Sequence, residues 1–207
     1  MKWCRLQERP HVVPVRLQFD SEHLHMVHLS RIYTRSGDKG RTFLANNQDV
    51  EKFSPVINAV GEIDEANCAI GLIYSLKNLD GMEVTLHQIQ NDLFNVGAQV
   101  SGSTTLKISE KSIKRLEDLI DYYNDDMPPL ESFVLPGGSK VSALFHNARA
   151  VVRRAERAVW AVIWPPEEEL KVCARYLNRL SDLLFVLARL YNEEEILWRP
   201  GEDVQID

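Results

Sequence analysis

Cysteine is scarce in this chain. Its three cysteines among 207 residues, Cys4, Cys68 and Cys173, are odd in number and too far apart for a disulfide framework or a metal-ligand set. A reducing compartment is the economical expectation. No apolar run reaches the roughly 18 residues that a membrane-spanning helix needs, so a soluble chain with no membrane partner is expected. Positive charge is in deficit: 24 Lys and Arg against 30 Asp and Glu leave a net −6, which argues against nucleic acid as a partner. Neither a Gly-x-Gly-x-x-Gly run nor a Walker A loop occurs. Ten glycines and nine prolines exclude collagen and low-complexity disorder. What is present is ordinary for a globular protein, 44% hydrophobic and 26% charged residues. A chain of this size buries about 70% of its unfolded surface, enough for one core without staples.

The first segment, 1–30, stands apart. Lys2, Arg5, Arg9 and Arg16 face only Glu8 before residue 20, the acid-poor, Arg-spaced pattern of a mitochondrial presequence without its usual Ser and Ala. The plain alternative is a flexible tail. The expected location is the mitochondrial matrix if 1–30 is a presequence, and the cytoplasm otherwise.

Beyond residue 50 the periodicity is helical throughout. Ser54-Pro55 reads as an N-cap with proline at the first helical position, followed by Val56, Val60, Ile63, Ile70 and Ile73 to about Asn78. Gly81 separates this helix from a second one bearing Leu86, Ile89, Leu93, Val96 and Val100, which Gly102-Ser103 ends. Ser109 opens a third, with Ile113, Leu116, Ile120 and Tyr123. Pro128-Pro129 and Pro136-Gly137-Gly138 frame a loop carrying Phe133, Val134 and Leu135. A fourth helix spans about Ser139 to Ile163, and a fifth about Glu167 to Tyr191. No convincing strand appears, though Arg31 to Thr34 could be extended. The expectation is an all-α, antiparallel five-helix bundle, one domain over 31–192 with a tail at 193–207.

Two helices carry polar faces that packing does not require. Arg149, Arg153, Glu156 and Arg157 fall within about 100° of one another, with Arg154 beside them. Arg175, Asn178, Arg179 and Asp182 share a similar sector on the fifth helix. Permanently charged guanidinium forks suit polyanions; a solvated, salt-bridged face is the competing reading. The segment Thr34-Arg35-Ser36-Gly37-Asp38-Lys39-Gly40-Arg41-Thr42 holds two glycines, three cations and three hydroxyls, and can be either a turn or a phosphate-binding loop. Glu22-x-x-His25, near His23 and His28, has the spacing of half a di-iron site but lies outside the bundle and has no second pair. Cys68 and Cys173 read as core. His146, one turn before Arg149, reads as a structural hydrogen-bonder near the arginine face.

Six of these segments, in this order, carry a resemblance. Thr-Arg-Ser-Gly-Asp-Lys-Gly at 34–40, Gly-Glu-Ile-Asp-Glu-Ala-Asn at 61–67, Phe-Val-Leu-Pro-Gly-Gly at 133–138, His-Asn-Ala-Arg at 146–149, Arg-Arg-Ala-Glu-Arg at 153–157 and Tyr-Leu-Asn-Arg-Leu-Ser-Asp-Leu-Leu-Phe at 176–185 resemble the PduO-type ATP:cob(I)alamin adenosyltransferases. The resemblance covers about 31–192. It implies a homotrimer of five-helix bundles with the active site between subunits, and transfer of the 5′-deoxyadenosyl group of ATP to the cobalt of reduced cobalamin with release of triphosphate. The alternative it allows is a carrier that hands adenosylcobalamin to a mutase with little turnover. It further implies that Thr34, Arg35, Ser36, Gly37, Thr42 and Lys52 hold the ATP phosphates, and that Arg153, Arg154, Glu156, Arg157 and Asn178 complete the nucleotide site. Arg149 would pair with Asp64 of a neighbouring subunit, and Phe133 would displace the lower axial base of the corrinoid. Mg²⁺ would arrive on the ATP phosphates, with no protein metal site assigned; a reductase and an adenosylcobalamin-dependent mutase are the further partners implied. Two departures stand out: Ala45-Asn46-Asn47-Gln48-Asp49 replaces a Gly-Glu-Arg-like stretch, and Ala66 replaces a leucine.

Overall fold

In the computed structural model, which describes residues 33, 35–76, 79, 81–163 and 168–201, a short hairpin precedes five helices. The strands β1 (Arg41–Phe43) and β2 (Asp49–Glu51) pair antiparallel, with Thr42 opposite Val50. This hairpin corrects the expectation that no strand follows the tail; of the stretch expected to be extended, Arg31, Ile32 and Thr34 lie outside the described residues. Three residues per strand are too few to display an alternating pattern, so side-chain pairing carries the register. Arg41 Nε donates to Asp49 Oδ2 at 2.8 Å and Arg41 Nη1 to Glu51 Oε1 at 2.5 Å, a cross-strand clamp.

The helices are α1 (Pro55–Tyr74), α2 (Glu83–Val100), α3 (Glu110–Asn124), α4 (Lys140–Val162) and α5 (Glu168–Leu190). Ser54, Ser109 and Ser139 are the N-caps of α1, α3 and α4, though only the Ser139 hydroxyl accepts a capping bond, from the Ser142 amide. The first helix ends at Tyr74, short of Asn78, because the Ser75 and Leu76 amides close the last turn on Gly71 and Ile73.

The apolar stripes read from spacing meet in one core. Leu86, Ile89, Leu93, Val96 and Val100 of α2 are all buried, as are Cys173, Leu177, Leu180, Leu184 and Leu187 of α5. Helix α4 packs chiefly on α5 and α1, α1 on α2, and α3 on α5. One polar network inside this core is fully engaged. Asp92, 3% exposed, accepts from the Tyr176 hydroxyl at 2.9 Å and pairs with Arg115, tying α2, α3 and α5 together. Burial, then the Asp92 charge, pushes the Tyr176 hydroxyl well above its ordinary pKa. Cys173 is core as expected, its thiol pushed up to about 12 by burial. Cys68 is not: it is exposed on α1, because its position falls outside the stripe of Ile63, Ala66, Ile70 and Ile73.

Candidate active site

Three separate elements present the side chains with chemistry to offer. The first is the loop before β1. Gly40 takes φ +76° and Arg35 φ +61°, and the amides of Asp38 and Gly40 bond back to the carbonyls of Arg35 and Gly37, so the chain winds tightly on itself. A β-carbon at Gly37 would stand 2.7 Å from Lys52 Nζ. Glycine there lets the ammonium lie against the loop backbone, and the Lys52 amide closes the arrangement on Gly40 O at 2.9 Å. Gly37 and Lys52, fifteen positions apart, thus share one cradle. Arg35 and Ser36 are exposed beside it, Thr42 is half-buried on β1, and Thr34 lies outside the described residues.

The cradle is held to the bundle through its hairpin tip. The Ala45 amide donates to Ser101 O and Ser101 Oγ, both at 3.0 Å, and Gly102 (φ +90°) leaves room for the Asn46 side chain. The atypical 45–49 stretch therefore docks on the end of α2. Sequence reasoning missed this contact; the Gly102-Ser103 break that it read only as a helix stop was the available signal.

The second element is α4. Arg153 and Arg157 are exposed, Glu156 is half-buried, and their only hydrogen bonds among the described residues are local: Arg157 Nη1 donates to Arg153 O at 3.2 Å, and Trp160 Nε1 to Glu156 Oε1 at 3.4 Å. Arg154 differs. It points off the arc and donates to Glu62 Oε2 at 2.5 Å and to Glu65, fastening α4 to α1. Those two carboxylates raise its pKa further. On α5 the polar sector also divides. Arg175 pairs with Glu110 at 2.6 Å, and Arg179 with Glu117 at 3.2 Å and Asp182 at 2.7 Å, while Asn178 stays exposed. Arg154, Arg175 and Arg179 thus have carboxylate partners, while Arg153 and Arg157 have none among the described residues.

Arg149 and His146 occupy the inward end of the α4 arc. Arg149 is half-buried over the Phe185 ring at 5.9 Å, and its Nε is buried without a hydrogen-bond partner. Burial, then Arg153, lowers its pKa. His146, 3% exposed, lies edge-on to Phe185, and its Nδ1 has no partner, so the structural hydrogen bond expected there is not made at that atom. Burial, then the Arg149 charge, lowers its pKa as well. Asp64 is exposed on α1 and has no ion-pair partner among the described residues.

The third element is the 132–138 loop. Phe133 is 77% exposed, which excludes it from the core. Its carbonyl accepts from the Trp198 amide at 2.7 Å, and Val134 forms a β-bridge with Leu197. Residues past 192, expected as a tail, here return to pair with the loop as far as Trp198. The run Ile196-Leu197-Trp198 after three glutamates was a signal for this, too short to read by period.

A family model described as cobalamin adenosyltransferase matches residues 32–191. A corrinoid adenosyltransferase of Mycobacterium tuberculosis is 50% identical over 188 residues, covering 86% of this chain and 97% of its own. The human corrinoid adenosyltransferase is 38% identical over 174 residues, 78% of this chain and 68% of its own. Among solved structures, a variant PduO-type ATP:corrinoid adenosyltransferase from Lactobacillus reuteri complexed with cobalamin and ATP superposes with TM-score 0.77 at 33% identity. It covers 84% of this chain and all of its own.

Proposed function

The chain belongs to the cobalamin adenosyltransferase family, and from that membership we propose that it transfers the 5′-deoxyadenosyl group of ATP to the cobalt of cob(I)alamin, giving adenosylcobalamin and triphosphate. The family match over 32–191 carries this reading, because it spans the cradle, the α4 arc and the Phe133 loop together. In the reaction the cobalt lone pair forms the Co–C5′ bond. The C5′–O bond breaks, and its electron pair leaves with triphosphate. Negative charge therefore grows on the phosphate chain, and fixed cations facing it lower the barrier.

The residues divide by what already holds them. Lys52, Thr42 and the turn from Arg35 to Gly37 cradle phosphates, together with Thr34, which lies outside the described residues. Arg153 and Arg157, which have no carboxylate partner among the described residues, meet the leaving group, and Glu156 and Asn178 orient the nucleoside. Arg154, already bound to Glu62 and Glu65, acts by fixing α4 against α1. Mg²⁺ would arrive on the ATP phosphate oxygens, where it would neutralise leaving-group charge. Phe133 meets the corrinoid on the side from which its lower ligand must be displaced.

The working form is a homotrimer. A half-buried Arg149 whose Nε has no partner among the described residues, and an exposed Asp64 with no ion-pair partner among them, fit a pairing made across a subunit boundary. A reductase that supplies the Co(I) state and a mutase that takes the product complete the set of partners. Segment 1–30 decides the location, matrix if it is a presequence and cytoplasm if it is not, and fusion of 1–30 to a fluorescent reporter distinguishes the two. Mg-ATP and chemically reduced cobalamin test the function: many equivalents of adenosylcobalamin per chain are expected, whereas one or fewer would make the protein a carrier.

A further inference from the structure

The 194–201 stretch lies beyond the family match, which ends at 191, yet it makes the closest contacts of the Phe133 loop. Three hydrogen bonds join them. The Trp198 amide donates to Phe133 O at 2.7 Å, Leu135 N donates to Ile196 O at 2.8 Å, and Ser132 Oγ donates to Trp198 O at 2.9 Å. The pairing centres on Val134 opposite Leu197. Side chains alternate across such a pairing, so Val134 and Leu197 turn inward and are half-buried, while Phe133, Leu135, Ile196 and Trp198 turn out and are exposed. The Phe133 and Trp198 rings lie 6.0 Å apart, tilted by 54°.

The base of this pairing is latched by a buried arginine. Arg189, at the end of α5, donates Nε to Glu195 Oε1 at 2.6 Å, Nη2 to Glu195 Oε2 at 3.2 Å, and Nη2 again to Pro128 O at 3.0 Å. One guanidinium therefore ties the segment that leads into the Phe133 loop to Glu195, just before Ile196, and it is only 8% exposed. The Phe133 ring has no other aromatic neighbour among the described residues, and a ring 77% exposed has few packing contacts to set its direction.

We propose that Trp198 is a positioning residue for the corrinoid step: its amide and its ring fix the direction in which Phe133 is presented, and the Arg189–Glu195 pair holds the Trp198 strand in register. This rests on Phe133 being the residue that displaces the lower ligand. Trp198 acts through Phe133, and the ATP cradle, at another element, is independent of it.

The test uses the full chain saturated with Mg-ATP, with Trp198→Ala, Trp198→Phe, Phe133→Ala and the double variant Phe133→Ala/Trp198→Ala. Three readouts are taken: the electronic spectrum of four-coordinate cob(II)alamin, the KM for ATP, and turnover when cob(II)alamin is reduced on the enzyme. Trp198→Ala should lower the four-coordinate fraction and turnover by about three- to tenfold, the scale of one cross-strand aromatic pair. The KM for ATP should stay unchanged and Trp198→Phe should recover most of the loss. The double variant should be no worse than Phe133→Ala alone, since two residues acting as one unit do not add. Ser132→Ala, which removes one strand bond and leaves both rings, should give a smaller loss in the same direction. A wild-type spectrum in Trp198→Ala, or losses that add in the double variant, overturns the proposal while Phe133 keeps its role. A wild-type spectrum in Phe133→Ala overturns the reading of Phe133 itself, and this inference with it.

Discussion

Arg153 stands at the centre of the α4 arc, is exposed, and has no carboxylate partner among the described residues. A charge in that position contributes nothing to the core and is free to meet a developing anion. Arg153→Ala should therefore cost about 2–4 kcal/mol of transition-state stabilisation, as loss of one well-placed donor does, with the unfolding midpoint unchanged. Steady-state kinetics beside a melting curve measure both, and near-normal kinetics would remove Arg153 from the site. His146 carries a pH dependence whose direction is fixed by its burial. Unfolded, its imidazole titrates at the ordinary 6.5; folded, burial and Arg149 hold it lower, against a smaller opposing pull from Glu195. Between those two values the unfolded chain binds the extra proton, so stability is complete above about pH 6.5 and falls as pH drops through the window below it. The melting temperature of His146→Gln should fall less steeply there than that of the parent; an identical slope would mean another group titrates.

At the scale of elements, the turn ahead of α4 does more than end a loop. Gly138 takes φ +86°, and a β-carbon there would run into the Asn192 side chain, which also accepts from the Ser139 amide at 3.4 Å. Ser139 Oγ donates to Tyr191 O at 2.6 Å, so the start of α4 is sewn to the end of α5. Gly138→Ala should cost about 1–3 kcal/mol, the range for backbone strain at one position, and loosen the Phe133 loop with it. Urea unfolding reads this, and an unchanged midpoint would show that the turn tolerates a side chain. The helices were legible because each long amphipathic stripe repeats its signal four or five times between Gly or Pro stops. The β1–β2 hairpin was not, since three-residue strands held by Arg41 leave no period to read. Position matters as well as residue type: Arg153 and Arg154 are adjacent and identical in the sequence, and only the fold shows that one meets Glu62 and Glu65 while the other faces solvent. Cys68 shows the same limit, an apolar residue on the outward side of a helix whose stripe runs past it.

At the scale of the whole molecule, the groups proposed for the site are spread over separate elements of the chain. The cradle hangs on α2, the arc belongs to α4, and Arg149 and Asp64, on different helices, have no ion-pair partner among the described residues. The proposed trimer would pair Arg149 with Asp64 across each boundary. Truncating either partner should then weaken assembly by about 3–5 kcal/mol and lower activity in parallel, because the other charge stays behind uncompensated. Light scattering on Asp64→Ala and Arg149→Ala measures the first effect, and a fully active monomer would contradict the shared site. The chemistry itself is tested most directly by product stoichiometry. With Mg-ATP and cob(I)alamin, one intact triphosphate should be released for each light-sensitive Co–C bond formed, over many turnovers. Release of ADP, or of triphosphate without any adenosylated cobalt, would contradict it.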